Sequence, residues 1–138
     1  VRLASLVIIL VLLAGACARK PAYPEARAAG DLISVEIPAE GAAFYSFSGD
    51  GVKVDFFVVK TAEAVESYFD ACFKCYTKKL GYRPDGGQIL CLACGVRYSL
   101  DELKEGIGSC SPVPLAGRVE GGRYVIEKRD LLNGAQYF

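Results

Sequence analysis

Four cysteines between Asp70 and Gly95 form two Cys-x-x-Cys pairs, Cys72/Cys75 and Cys91/Cys94, with fifteen residues between the pairs. Such thiols have three chemical uses: holding a metal ion, closing disulfides, or cycling between thiol and disulfide. A Cys-x-x-Cys turn brings two sulfurs close enough to share one ion. A C-x2-C-x15-C-x2-C spacing suits a tetrahedral four-thiolate site. Gly95 directly follows the second pair, where a left-handed backbone lets the chain wrap the sulfurs. The spacing points to a metal centre and leaves zinc and iron both open, since each accepts thiolates.

What is absent narrows the chemistry. The 138 residues contain no histidine, which excludes mixed Cys/His zinc sites, His-bound copper and Rieske centres. Tyr76 and Gly95 follow the two pairs, so there is no Cys-x-x-Cys-His for haem attachment. A histidine-activated nucleophile is also excluded, and any enzyme would work with thiols or carboxylates alone. A non-enzymatic redox or metal-binding module is the expectation. Sixteen acidic and sixteen basic residues cancel, and no basic footprint for nucleic acid is present.

A further thiol, Cys110 in "GSCSPVP", leaves an odd number once Cys17 is set aside, which argues against a purely disulfide framework. Cys110 is either a structural cysteine or another ligand, with four thiolates drawn from five or more than one ion held. Lys74, Lys78 and Lys79 surround the first pair. They either offset thiolate charge or are simply solvated.

The elements that must carry these thiols begin after an N-terminal leader. Arg2 precedes an apolar run from Leu3 to Ala14, the order of a secretory signal and too short for a spanning helix of about 20 residues. "LLAGAC" resembles a bacterial lipobox, which implies lipidation of Cys17 and a membrane partner through that anchor. Two or more acyl chains hold durably, at roughly 0.8 kcal/mol per buried methylene. Residues 1–17 are thus expected as a lipoprotein-type signal and 18–41 as a Pro/Ala-rich tether. The Cys-rich domain is expected over 42–138. "DLISVEIP" in the tether reads as an edge strand ahead of Pro38.

Within the domain, "AFYSFS" and "VKVDFFVVK" read as strands around a Gly-Asp-Gly turn, with Val52, Val54, Phe56 and Val58 on one half-buried face. The aromatics Phe44, Tyr45, Phe47, Phe56 and Phe57 are expected as core. "SYFDA" reads as a strand into the first pair, and "QILCLACGVRYSL" as strand, knuckle, strand. "SLDELKEG" carries a helix-start signature, with Ser99 as N-cap, Glu102 three residues on and Gly106 as stop. "GIGSCSPVPLAG" reads as loop, "GGRYVIEKRD" as strand, and "DLLNGAQYF" as a turn or short helix. The expected fold is α+β and β-rich: antiparallel strands, two Cys-x-x-Cys knuckles, and one or two short helices.

The ordered motifs "FYSF", "VDFFVVK", "FDACFKCY", "KLGYRPDG", "LCLACGVRY", "GSCSPVPL" and "DLLNGAQYF" resemble the FtrD-like membrane iron–sulfur domain over roughly residues 43–138. The resemblance implies an extracytoplasmic Fe–S domain connected with bacterial iron uptake. Cys72, Cys75, Cys91 and Cys94 match that family's paired cysteines, and Cys110 its Gly-x-Cys-x-Pro cysteine. The lipobox-like start replaces the membrane spans often found in the family.

Together these readings describe a lipid-anchored protein in the periplasm or at the cell surface. It is expected to hold an Fe–S or Fe–thiolate centre for electron transfer or iron handling, with a redox partner or iron permease. Two alternatives stand beside it: a structural zinc site in an interaction module, and a thiol–disulfide redox protein. A redox-active pair ordinarily places a low-pKa thiol at a helix start, which the strand-borne second knuckle does not offer.

Overall fold

A computed structural model describes residues 20–138. The expected signal segment and Cys17 lie outside the described residues. Eleven strands, numbered in chain order, and one α-helix make three antiparallel sheets. The strands are β1 (Ala28–Ala29), β2 (Leu32–Glu36), β3 (Gly41–Gly49), β4 (Val52–Lys60), β5 (Val65–Cys72), β6 (Tyr82–Asp85), β7 (Gln88–Cys91), β8 (Arg97–Ser99), β9 (Pro112–Leu115), β10 (Arg118–Glu120) and β11 (Arg123–Glu127). Helix α1 spans Lys128–Asn133.

The central sheet has the order β3-β4-β5-β9 and packs another sheet on each face. Along β4, side chains alternate between two cores. Val54, Phe56 and Val58 join Ile33, Val35, Tyr124, Ile126 and Leu131, which come from the sheet β1-β2-β11-β10 and from α1. Phe57 and Val59 join Tyr68, Cys72, Tyr82, Ile89, Cys91, Tyr98 and Cys110 on the side of the sheet β6-β7-β8. Residues 54–59 of β4 are therefore buried on both faces, where alternation alone suggests a half-buried strand. Its second face is as apolar as the first except at Asp55, and that carboxylate is paired.

Most of the strand readings hold. The hairpin between β3 and β4 turns at Asp50 and Gly51, with Gly49 paired to Val52. The strand into the first cysteine pair is β5, and the second pair lies between β7 and β8. The expected aromatics lie in the core, with Tyr45 at its margin.

Four readings are corrected. Over its described part, the expected tether of residues 18–41 is built into the domain. Glu25 bridges Ser46, Ala26 is buried, and β2 runs between β1 and β11. Ile33 and Val35 alternate into the core and outweigh the Pro/Ala composition. For the same reason β2 is an interior strand and not an edge. The expected helix at "SLDELKEG" shrinks to a single 3-10 turn, Leu100–Glu102, and the Ser99 side chain makes no capping hydrogen bond. Leu103 anchors this segment by burial instead. The expected loop at "SPVPL" contains strand β9. Prolines suit it because β9 is the sheet's edge, where a missing N–H costs no ladder bond.

Candidate metal centre

The cysteine ends of the strands converge on the second face of the central sheet. Cys72 ends β5 and Cys91 ends β7, and both are essentially buried. After Cys72 the chain turns tightly, with the Cys75 N–H donating to the Cys72 carbonyl at 3.1 Å, and runs into a 3-10 turn over Tyr76–Lys78. After Cys91, Gly95 has φ +74° and its N–H returns to the Cys91 carbonyl at 2.9 Å, closing the turn that carries Cys94. A side chain at Gly95 would be strained in that left-handed conformation.

Cys110 is carried in by a different device. Ile107 and Cys110 exchange two backbone hydrogen bonds, and Phe73 N–H donates to Ser111 at 3.0 Å, tying this loop to the first knuckle. Gly106 has φ +69°, and a Cβ there would lie 2.6 Å from the Cys110 carbonyl oxygen. Cys110 is 7 % exposed, and its sulfur lies 3.7 Å from that of Cys94.

All five expected ligands are thus brought together. Their sulfurs group as two triads: Cys72, Cys75 and Cys91 lie within 4.8 Å of one another, and so do Cys75, Cys94 and Cys110. No disulfide joins any of the five. Cys17, the expected lipidation site, is outside the described residues. Lys74, Lys78 and Lys79 are all exposed and form no ion pair among the described residues.

The surroundings favour the thiolate at two of the five sulfurs and oppose it at three. Burial pushes the Cys72 thiol up, but the Tyr82 hydroxyl, the N–H groups of Lys74 and Cys75, and the Cys75 thiol outweigh it and leave it below its ordinary value. Burial likewise raises Cys94, and the Val96 N–H with the Cys91, Cys110 and Cys75 thiols reverses that. Cys75 is pushed up to about 12, by burial and then by the neighbouring Cys72 charge. Burial raises Cys91 to about 11 despite the N–H groups of Cys94 and Ala93. Burial and the Cys94 thiol hold Cys110 up. Cys75, Cys91 and Cys110 are thereby held towards the protonated form in the metal-free state, and a bound metal displaces those protons.

Two tyrosines were not foreseen from the sequence. The Tyr82 and Tyr98 hydroxyls are buried with no hydrogen-bond partner, and their rings meet edge to face at 6.1 Å. Burial and the neighbouring Cys72 thiol push the Tyr82 hydroxyl up, and burial with the charges of Cys110, Cys72, Cys94 and Cys91 does the same to Tyr98. A buried hydroxyl without a partner is costly, and these two lie among the clustered thiols. The pairing of Tyr82 with Cys91 across β6 and β7 was the missing signal.

A buried ion cluster braces the same face. Asp70, two residues before Cys72, accepts the Tyr82 N–H at 2.5 Å and pairs with Lys20. Lys20 also reaches Asp55 at 2.9 Å, and Asp55 accepts from the Ser46 hydroxyl at 2.5 Å. Burial still leaves the Asp70 carboxyl above its ordinary range, even with the Lys20 ammonium beside it. Asp70 thereby locks the end of β5 to the start of β6, the two strands that present Cys72 and Tyr82.

The donor set, five clustered sulfurs with backbone N–H groups at Cys72 and Cys94, fits iron–sulfur ligation. The profile of the FtrD-like family, described as membrane iron-sulfur containing protein FtrD-like, matches residues 37–138. The chain belongs to this FtrD-like family. The family's residues span β3 to the C-terminus and so include all five clustered cysteines, together with Tyr82 and Tyr98. Comparisons with curated proteins and with solved structures gave no match. Among the described residues, no helix is long and apolar enough to cross a membrane.

Proposed function

We propose that this FtrD-like domain holds an iron or iron–sulfur centre on its five clustered thiols and serves electron transfer or iron handling tied to iron uptake. The observation that carries the reading is the convergence of five free sulfurs from three separate chain segments. Cys72 and Cys75 close the end of the central sheet, Cys91 and Cys94 close the small sheet, and Cys110 joins from the loop before β9. When bound, such a centre supplies one-electron redox chemistry at a potential tuned by hydrogen bonds to its sulfurs.

The chain's own groups set that tuning. Backbone N–H groups and the Tyr82 hydroxyl stabilise thiolate charge at Cys72, and the Val96 N–H does so at Cys94. Buried Phe57, Tyr68 and Tyr98 keep water from the inner sulfurs. Cys94 is exposed and Cys75 half-buried, which gives electrons or incoming metal a route from one side. An extracytoplasmic location with a lipid anchor at Cys17 completes the proposal. It is supported by the signal-like run and lipobox-like segment, and by the family's membrane association.

Anaerobically purified protein is expected to contain iron and acid-labile sulfide and to absorb in the visible through sulfur-to-iron charge transfer. A colourless preparation with stoichiometric zinc would instead establish a structural zinc site. For the anchor, radiolabelled fatty acid is expected on the wild type and not on Cys17→Ser. Equal labelling of both would remove Cys17 from the account.

A further inference from the structure

We infer that Cys75 is the shared ligand of a two-metal centre, one ion held by Cys72, Cys75 and Cys91 and the other by Cys75, Cys94 and Cys110. This rests on the reading that the thiols bind metal and adds how many ions they hold and which sulfur joins them. Spacing alone suggests a single ion on the two Cys-x-x-Cys pairs. The sulfurs do not group that way, because the triads cut across the pairs. The first triad takes only Cys91 from the second knuckle, and Cys94 sides with Cys110.

The backbone enforces this division. Cys91 is held at the buried end of β7, while the turn at Gly95 carries Cys94 outward. There it meets Cys110, 3.7 Å away and fixed by the Ile107–Cys110 turn. Cys75, after the strand-end turn of β5, is the one sulfur that belongs to both triads.

Ligand counting agrees. Two separate four-thiolate sites need eight donors, and the cluster offers five. With Cys75 shared, each ion receives three chain sulfurs, and one bridging non-protein ligand brings both to four. Inorganic sulfide meets that need for iron, since it is soft and bridges iron ions. Cys110 is then a required ligand and not a spare thiol.

Cobalt(II) tests the count without relying on iron, sulfide or any activity. The full chain, stripped of metal and kept anaerobic, is titrated with cobalt(II) and followed by sulfur-to-cobalt absorption and electron paramagnetic resonance. Two equivalents are expected to bind. The high-spin signal should grow over the first equivalent and fall over the second, as the shared sulfur couples the two ions. Cys110→Ser should stop near one equivalent and keep its signal, whereas Cys75→Ser should lose the coupling.

Saturation of the wild type at one equivalent would overturn the inference and leave the metal-binding reading standing. So would a Cys110→Ser titration indistinguishable from the wild type. No cobalt–sulfur absorption at all would overturn both.

Discussion

The two faces of the central sheet carry different kinds of residue for different ends. Towards β2, β11 and α1, the sheet presents Val54, Phe56, Val58 and Phe69 to other apolar side chains, and polar atoms are few. Towards β6, β7 and β8, it presents Phe57, Tyr68, Asp70 and Cys72 to tyrosines, thiols and a lysine. The first face is a hydrophobic core whose stability comes from area removed from water. The second buries groups that are costly without partners. It is stable when those partners are present, and it is there that a bound metal acts. A single strand, β4, serves both faces by alternation, which couples the metal centre to the fold.

Substitutions on each face should therefore respond differently to metal. Phe56→Ala, on the aliphatic face, is expected to cost about 4 kcal/mol in urea denaturation. The cost should be similar with and without metal. Cys72→Ser should do the reverse, changing the metal-free protein little and removing most of the stabilisation gained on loading. Equal metal dependence of the two variants would erase the distinction between the faces.

The ion cluster offers the next largest effect. Lys20→Met strips the buried Asp70 of its ammonium partner, and losing one member of a buried pair costs about 3 kcal/mol. Adding Asp70→Asn should recover part of the loss, because no unpaired charge then remains. A Lys20→Met protein with an unchanged denaturation midpoint would mean that the N-terminal segment contributes little to the domain.

Gly106→Ala replaces no ligand yet should affect the centre. A β-carbon there meets the Cys110 carbonyl, and the φ of +69° adds strain of about 1 to 2 kcal/mol. Metal content should drop while the fold, read by far-ultraviolet circular dichroism, stays intact. Full metal content in this variant would show that the Cys110 loop adapts freely.

The smallest expected effect is a pH dependence confined to the metal-free thiol face. Cys75 and Cys91 have folded-state values raised from 9.0 to about 12 and about 11. A raised value stabilises the fold below the unfolded value, and that contribution is lost as pH climbs through the folded one. Cys72 and Cys94, held low, contribute above the ordinary value and lose it as pH falls. Metal-free protein should therefore melt at lower temperature from about pH 9 to about pH 12. The decline should shrink in a Cys75→Ser/Cys91→Ser variant. A decline of the same size in that variant would assign it to other groups.

Much of the thiol face was legible in the sequence because cysteine spacing and the following glycine are local signals. The strands around it were legible through alternation, as at Val54, Phe56 and Val58. What escaped depended on contacts distant in sequence. Strand β9 hides behind Pro112 and Pro114, whose tolerance follows from an edge position that no local pattern shows. The N-terminal segment reads as tether by composition, and only the pairing of β2 with β11 and of Lys20 with Asp70 makes it part of the fold. Tyr82 and Tyr98 look like ordinary strand aromatics until the register places them beside sulfur. The grouping of five sulfurs into two triads is likewise set by where the Gly95 and Gly106 turns aim Cys94 and Cys110.

X-ray absorption at the iron edge, on protein purified without oxygen, tests the central claim most directly. The account predicts iron surrounded by sulfur alone. A first shell dominated by oxygen or nitrogen, or a protein without iron, would contradict it.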